Sequence, residues 1–151
     1  MIEKCYYVRS DSLNPYYNLA LEDYMFHNIP NDSVIFFLWK NTDTVMLGRN
    51  QNAYKECFLK EMEKDRCYLA RRSSGGGAVF QDTGNLNFSF LMYMDNYDIQ
   101  KQTQTIVNAL KSLGLDAVIN GRNDIEIDGL KVSGNAYLTE NGHCLQHGTL
   151  M

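Results

Sequence analysis

The stretch Arg71-Arg-Ser-Ser-Gly-Gly-Gly-Ala-Val-Phe80 carries the densest chemical signal in the chain. Three consecutive glycines cost backbone entropy on ordering and supply no side chain to pack. What they offer is close approach, with successive main-chain N–H groups able to point at an anion. The two arginines before them are forked donors suited to phosphate or carboxylate. A flexible hairpin loop is the bland alternative, and the flanking Arg-Arg pair argues against it. The stretch is not a P-loop, because no lysine follows the glycines. Nor is it a dinucleotide fingerprint. Gly75, Gly77 and Phe80 fill the places of that motif's three glycines, and a strand rather than a helix follows.

A second segment, GRNDIEIDGLKVSGNAY (121–137), contains a two-residue hairpin signal at Asp128-Gly129. Strand alternation puts Leu130 and Val132 on one face, and Lys131 and Ser133 on the other. A single mid-strand lysine ordinarily faces solvent, but Asn123, Asp124 and Asn135 lie near it in sequence. Asp124 has the chemistry to hold a divalent cation beside a phosphate, or it begins the turn. The loop LGRNQN (47–52) and the step HGTL (147–150) are weaker signals: a helix cap and a structural histidine are their ordinary readings. The cysteines, Cys5, Cys57, Cys67 and Cys144, form no CxxC pair, and MIEKCYYVRS is no secretory leader. They are expected to be reduced thiols of a cytoplasmic protein, each a small buried hydrophobe. His143 and His147 share a strand face beside Cys144, but no further ligands stand at a recognisable spacing, so no metal site is expected there.

These segments need a scaffold. CYYVRS (5–10) reads as a strand. Asn14 caps a helix over 15–28, with Pro15 at its first position and Tyr17, Ala20, Leu21, Tyr24 and Met25 as its apolar face. VIFFLWK (34–40) and TVMLG (44–48) read as paired strands around the turn NTD. Asn52 caps a helix over 54–65 that buries Cys57, Phe58 and Met62. CYLAR (67–71) and LNFSFLMY (86–93) are strands flanking the glycine block. Asp98 caps a helix with Ile99, Ile106, Val107, Leu110 and Leu113 inward and Gly114 beyond its end. A meander follows, with a second hairpin signal at Asn141-Gly142. The expected class is α/β of the α+β type, with helices packed on a mixed, largely antiparallel sheet.

A length of 151 residues fits one domain large enough to hold a core without disulfides. Apolar residues make up 44%, which argues against disorder. The net charge of −4 excludes an ordinary non-specific nucleic-acid binder, and the apolar run from Val34 to Trp39 is too short to span a bilayer. The chain stops within an apolar segment, HCLQHGTLM (143–151), whose strand partners on one side at least are expected to follow in sequence. The expectation is therefore a piece of a longer protein with an unpaired edge there, inactive alone.

Together and in this order, DSLNPYYNLALED (11–23), LWKNTDTVMLGRNQN (38–52), RRSSGGGAVF (71–80), GRNDIEIDGLKVSGNAY (121–137) and HGTL (147–150) resemble the lipoate-protein ligase family. The resemblance implies the fold shared by lipoate and biotin ligases, with this chain as the N-terminal part of the catalytic domain. It implies two steps: lipoate and MgATP give lipoyl-AMP and pyrophosphate, then a lysine of an acceptor lipoyl domain takes the acyl group and AMP leaves. The acceptors it implies are lipoyl domains of 2-oxoacid dehydrogenase complexes or the glycine cleavage H protein. By motif, Arg72 and the main chain of Gly77, Ala78, Val79 and Phe80 would hold phosphates. Lys131 would contact both lipoate and the α-phosphate. Asn85, Asn123 and Asp124 are weaker adenylate candidates, Asp124 also for Mg²⁺. Gly76, His147 and Gly148 would border the lipoyl tunnel. The tunnel is expected to be mainly apolar, with Val45, Leu47 and Val79 on its wall and polar groups only at the carboxylate end. Many family members carry His where this chain has Gln81, whose role is left open. Two other readings remain: a cysteine-dependent octanoyl or lipoyl transferase of the same fold, and a non-catalytic binder of lipoyl domains. Lipoate against octanoate preference, the acceptor's identity and the oligomeric state are not legible.

Overall fold

In the computed structural model, residues 2–121 and 124–151 are described. The strands form two sheets. The larger runs in the order β1 (Lys4–Arg9), β2 (Ser33–Trp39), β6 (Leu86–Tyr93), β10 (His143–Leu150), β9 (Leu130–Glu140), β8 (Asp124–Ile127) and β7 (Ala117–Asn120). The smaller is β4 (Tyr68–Arg71), β3 (Thr44–Leu47), β5 (Val79–Gln81). The pairs β1–β2 and β3–β4 are parallel and the rest antiparallel. The helices are α1 (Pro15–His27), α2 (Ala53–Glu56), α3 (Leu59–Lys64) and α4 (Ile99–Ser112). The expected α/β class and mixed sheet are what the structure has.

The central strands of the large sheet are covered on both faces. Phe37, Trp39, Leu91 and Leu145 pack with Met25 and Phe26 of α1 and with Met46 and Ala70 of the small sheet. The alternate residues Phe88, Phe90 and Met92 pack with Ile106, Val107 and Leu110 of α4. This two-sided burial explains why β2 and β6 read as nearly continuous apolar runs. Several local signals work as expected. The Asn14 side chain accepts the Tyr16 and Tyr17 N–H groups, Asn52 accepts that of Tyr54, and Asp98 that of Lys101. Asp128-Gly129 and Asn141-Gly142 turn with positive φ at both residues.

Five expectations fail. First, β2 and β3 are not a hairpin; they lie in different sheets. The link between them carries Asn41 and Thr44, both fully buried, and Asn41 finds its partners in Asn18 and Gln81. It is a crossing between layers rather than a solvated turn. Second, α1 buries Pro15, Asn18, Glu22, Met25 and Phe26, while Tyr17 and Tyr24 face outward. Asn18 and Glu22 go inside because polar partners wait there, which an apolar-periodicity argument cannot see. Third, the helix over 54–65 is two short pieces, broken where Cys57 is extended (φ −133°, ψ 145°), and Phe58 is exposed. Neither piece has a buried residue, so no packed face holds them as one. Fourth, β10 is no edge: it pairs with β6 on one side and β9 on the other. Fifth, Ile99 of α4 and Leu113 at its C-cap are exposed, and Gln102 and Thr103 take inward positions instead.

Candidate functional site

The glycine loop joins β4 to β5, and its two arginines are its frame. The Arg71 Nη1 donates to the carbonyls of Gly48 (2.9 Å), Arg49 (3.2 Å) and Gln51 (2.7 Å), tying down the loop after β3. The Arg72 guanidinium donates to the Gly75 carbonyl from Nε and Nη2 (3.2 and 2.8 Å), to that of Gly77 from Nη2 (2.8 Å) and to that of Met46 from Nη1 (3.1 Å). Burial pushes the Arg72 pKa down, and the charge of Glu22 pulls it back up. Most of its donors are therefore spent on loop carbonyls. It shapes the loop before it can offer anything to an anion.

The two loops also lock each other. Arg49 N–H donates to the Ser74 carbonyl at 2.8 Å. A Cβ on Gly48 would stand 2.1 Å from the Gly76 carbonyl oxygen, so only glycine fits. Gly76 holds φ +97°, which disfavours any side chain. Gly75 and Gly77 have open space where a Cβ would be, so the main chain is bare on that side and can be approached.

Across from this loop, β9 carries a bulge between its pairings to Ile125 and Glu126. The bulge overturns the expected alternation. Ser133 lies opposite Ile125 and both are fully buried. Val132 packs toward α4. Lys131 is released to the other face, its Nζ 2.9 Å from Asp124 Oδ1 and 3.5 Å from where a Cβ of Gly134 would be. A straight strand would have put Lys131 and Ser133 together; the extra residue separates them.

Between the loop and the bulge is a cavity of about 320 Å³. Of the sequence candidates, Arg72, Gly76, Gly77, Val79, Phe80, Asn85, Asp124, Lys131, His147 and Gly148 line it. Ala78, within the loop, does not. Val45 and Leu47 do not either; the cavity-facing residue of β3 is Met46, between them, because strand faces alternate and the chosen pair was one residue out of phase. Asn123 lies outside the described residues. Gly148 is required: a Cβ there would meet Phe88 at 2.5 Å, Asn135 Oδ1 at 2.7 Å and the Gly134 carbonyl at 2.9 Å.

Most of the surface lining the cavity is apolar, and a buried polar array reaches it at His147. His147 Nδ1 is 3.1 and 3.2 Å from the two oxygens of Glu22, and its Nε2 is 2.6 Å from Ser74 Oγ. Ser89 Oγ donates to Glu22, and Trp39 Nε1 donates to Ser89 Oγ. The serine–histidine–carboxylate order has the form of a hydrolytic triad. Ser74, however, is 1% exposed and off the cavity wall, so the array holds the His147 ring rather than presenting a nucleophile. Sequence reasoning missed Glu22, Trp39 and Asn87, and left the role of Gln81 open. Trp39 and Asn87 sat inside apolar strand patterns; the only signal for Glu22 was a carboxylate on the inward stripe of α1.

The described residues build no metal site of their own. No group of three or more His, Cys, Asp or Glu side chains is placed to hold an ion among them, and Asp124, the one carboxylate on the cavity wall, is paired with Lys131. The cysteines stand elsewhere: Cys57 and Cys67 line a second depression beside α2 and α3, Cys144 is buried in β10, and Cys5 is exposed on β1. The arrangement is a bare main-chain cradle and a cation on the wall of one partly open cavity. It can hold an anion at the loop beside an apolar group against the rest of the wall.

The family profile described as the lipoyl protein ligase A/B catalytic domain matches residues 14–151. The chain is 47% identical over 144 residues to lipoate-protein ligase A of Psychrobacter cryohalolentis, covering 95% of this chain and 42% of that protein. The P. falciparum LipL1 crystal structure in complex with lipoate superposes with a TM-score of 0.92 at 34% identity, covering 97% of this chain and 48% of that one. A crystal structure of lipoate-protein ligase A bound with ATP superposes with a TM-score of 0.84 at 30% identity, covering 99% and 66%. The chain thus spans less than half the length of that curated relative.

Proposed function

The chain belongs to the lipoyl protein ligase A/B catalytic domain family, and on that footing we propose that the protein activates lipoate with ATP and passes the lipoyl group to a lysine of an acceptor lipoyl domain. The acceptors are the lipoyl domains of 2-oxoacid dehydrogenase complexes or the glycine cleavage H protein. The observation that carries the reading is the slot itself. The bare loop around Gly77 and the Lys131 ammonium face one cavity, which two anions must share for a carboxylate to attack a phosphate.

In the first step a lipoate carboxylate oxygen attacks the α-phosphorus of ATP, supplied as its magnesium complex. The bond from that phosphorus to the pyrophosphate oxygen breaks. Loop N–H groups and Lys131 supply fixed positive charge where the two anions meet, and Arg72 keeps the loop in the shape that presents those N–H groups. The approach of anions also separates Lys131 from Asp124, to which it is tied at 2.9 Å. In the second step the uncharged amine of the acceptor lysine attacks the acyl carbon. The carbon–oxygen bond to AMP breaks, and the amine's extra proton leaves with AMP or to solvent. No enzyme nucleophile is required.

The placement of the four cysteines away from the cavity weighs against the thiol-dependent transferase. Pyrophosphate release discriminates among the readings. The ligase releases pyrophosphate from ATP only when lipoate or octanoate is present. An acyl-carrier-dependent transferase and a non-catalytic binder release none, and that result would overturn the proposal.

A further inference from the structure

The cavity contains a hydrogen-bond donor with nothing to donate to. Asn87 Nδ2 is buried and has no partner among the described residues, yet Asn87 lines the slot. Leaving a buried amide donor unpaired is costly, so its direction needs a cause. The cause is a relay of side-chain amides. Asn18 Nδ2 donates to the main-chain carbonyls of Ser12 (3.0 Å) and Lys40 (2.8 Å). Carbonyls only accept, so that atom must be the NH₂ end. The same nitrogen faces Asn41 Oδ1 at 3.1 Å. Asn41 must then turn its own NH₂ the other way, to Gln81 Oε1 at 2.8 Å. Gln81 Nε2 in turn faces Asn87 Oδ1 at 2.8 Å. Asn85 Nδ2, 3.3 Å from the same oxygen, adds to the lock. Each amide fixes the polarity of the next, and the last is left with its NH₂ turned away from the relay.

We propose that Asn87 is a specificity-determining donor for the carboxyl oxygen of the acyl substrate, and that Gln81 is the positioning residue that sets its polarity. The inference rests on the function proposed above. Lipoate and octanoate carry strong acceptor atoms only in their carboxyl group; the dithiolane sulfurs accept weakly. Asn87 sits on β6 opposite Thr149, one step further along β10 toward its C-terminal end than the pair Ser89–His147, and lines the same cavity as Lys131. A hydrogen bond from a neutral donor to an ionised oxygen contributes about 1.5–3 kcal/mol, or roughly a ten- to hundred-fold change in affinity.

The test is lipoate and octanoate binding by calorimetry, with ATP affinity and the melting temperature as controls for folding. Asn87→Ala is expected to weaken both acids by the same ten- to hundred-fold factor while ATP affinity holds. Gln81→Glu keeps the residue shape but offers Asn87 only acceptors, so the Asn87 amide turns over and presents its oxygen to the slot. It is expected to weaken both acids at least as much. Added to Asn87→Ala, Gln81→Glu is expected to have no further effect, which a merely structural residue would not reproduce. A loss confined to lipoate would assign the donor to a sulfur and overturn the proposal, as would unchanged binding in Asn87→Ala or additive losses in the double variant. If the unaltered protein binds neither acid, the proposed function has failed, and that outcome is distinct from all of these.

Discussion

Gly48→Ala tests how far the glycine loop is held by the loop beside it. The new Cβ would stand 2.1 Å from the Gly76 carbonyl oxygen, and ordinary contact begins at 3.4 Å, so one of the two main chains must move by about 1.3 Å. Neither is free. Arg71 holds the carbonyls of residues 48, 49 and 51, and Arg72 holds those of residues 75 and 77. Overpacking of this kind costs about 1–3 kcal/mol, which for a chain of this length lowers the melting temperature by about 2–4 °C per kcal/mol. The larger consequence is functional. A shift near 1 Å in groups that position a reacting phosphate is worth about a hundred-fold in rate. The assay is adenylate formation alongside a thermal melt. Gly48→Ala is expected to melt a few degrees lower and to lose about two orders of magnitude in adenylation. Normal adenylation in a folded Gly48→Ala protein would refute the reasoning, since the loop would then not depend on that contact.

Other expectations follow from the same geometry. Lys131→Met should lower adenylation by at least about a hundred-fold, the scale for one preorganised charge, measured as lipoate-dependent pyrophosphate release with the melt unchanged. Gly77→Val meets open space and should fold normally while losing ATP affinity; Gly76→Val should lose stability as well, because φ is +97° and its Cβ would stand 2.7 Å from Arg72 Nη2. Calorimetry and melting of the two variants separate these effects, and ATP binding retained in Gly77→Val would remove the loop from the phosphate site. Partial burial, with Asp43 and Asp65 adding to it, holds the Cys67 thiol above its ordinary range. Its alkylation at neutral pH should be slower than that of free cysteine and should climb with pH beyond the usual thiol range; a peptide-resolved pH–rate profile checks this.

How much was legible depended on whether a residue's role is local. Caps and tight turns were legible, because Asn14, Asn52, Asp98, Asp128-Gly129 and Asn141-Gly142 act on their own backbone. The glycine loop, Lys131 and Asp124 were legible from residue type and proximity. The partition of strands into two sheets was not, since nothing near Asn41 announces that its partners are Asn18 and Gln81. The bulge in β9 was invisible for the same reason, and it reversed the expected companions of Lys131. The buried polar array behind the cavity escaped notice because Glu22, Ser89 and His147 come from three distant segments and make sense only together. Periodicity credits a position for being apolar, and these positions are buried because they are mutually hydrogen-bonded.

The most direct test of the central claim is to incubate the protein, in the form in which it occurs in the cell, with α-labelled ATP, magnesium and lipoate, and to separate the labelled products. The expected product is a labelled lipoyl-AMP that is absent without lipoate, strongly reduced in Lys131→Met, and converted to AMP when an acceptor lipoyl domain is added. Lipoylation of the acceptor with no adenylate and no requirement for ATP would contradict that claim.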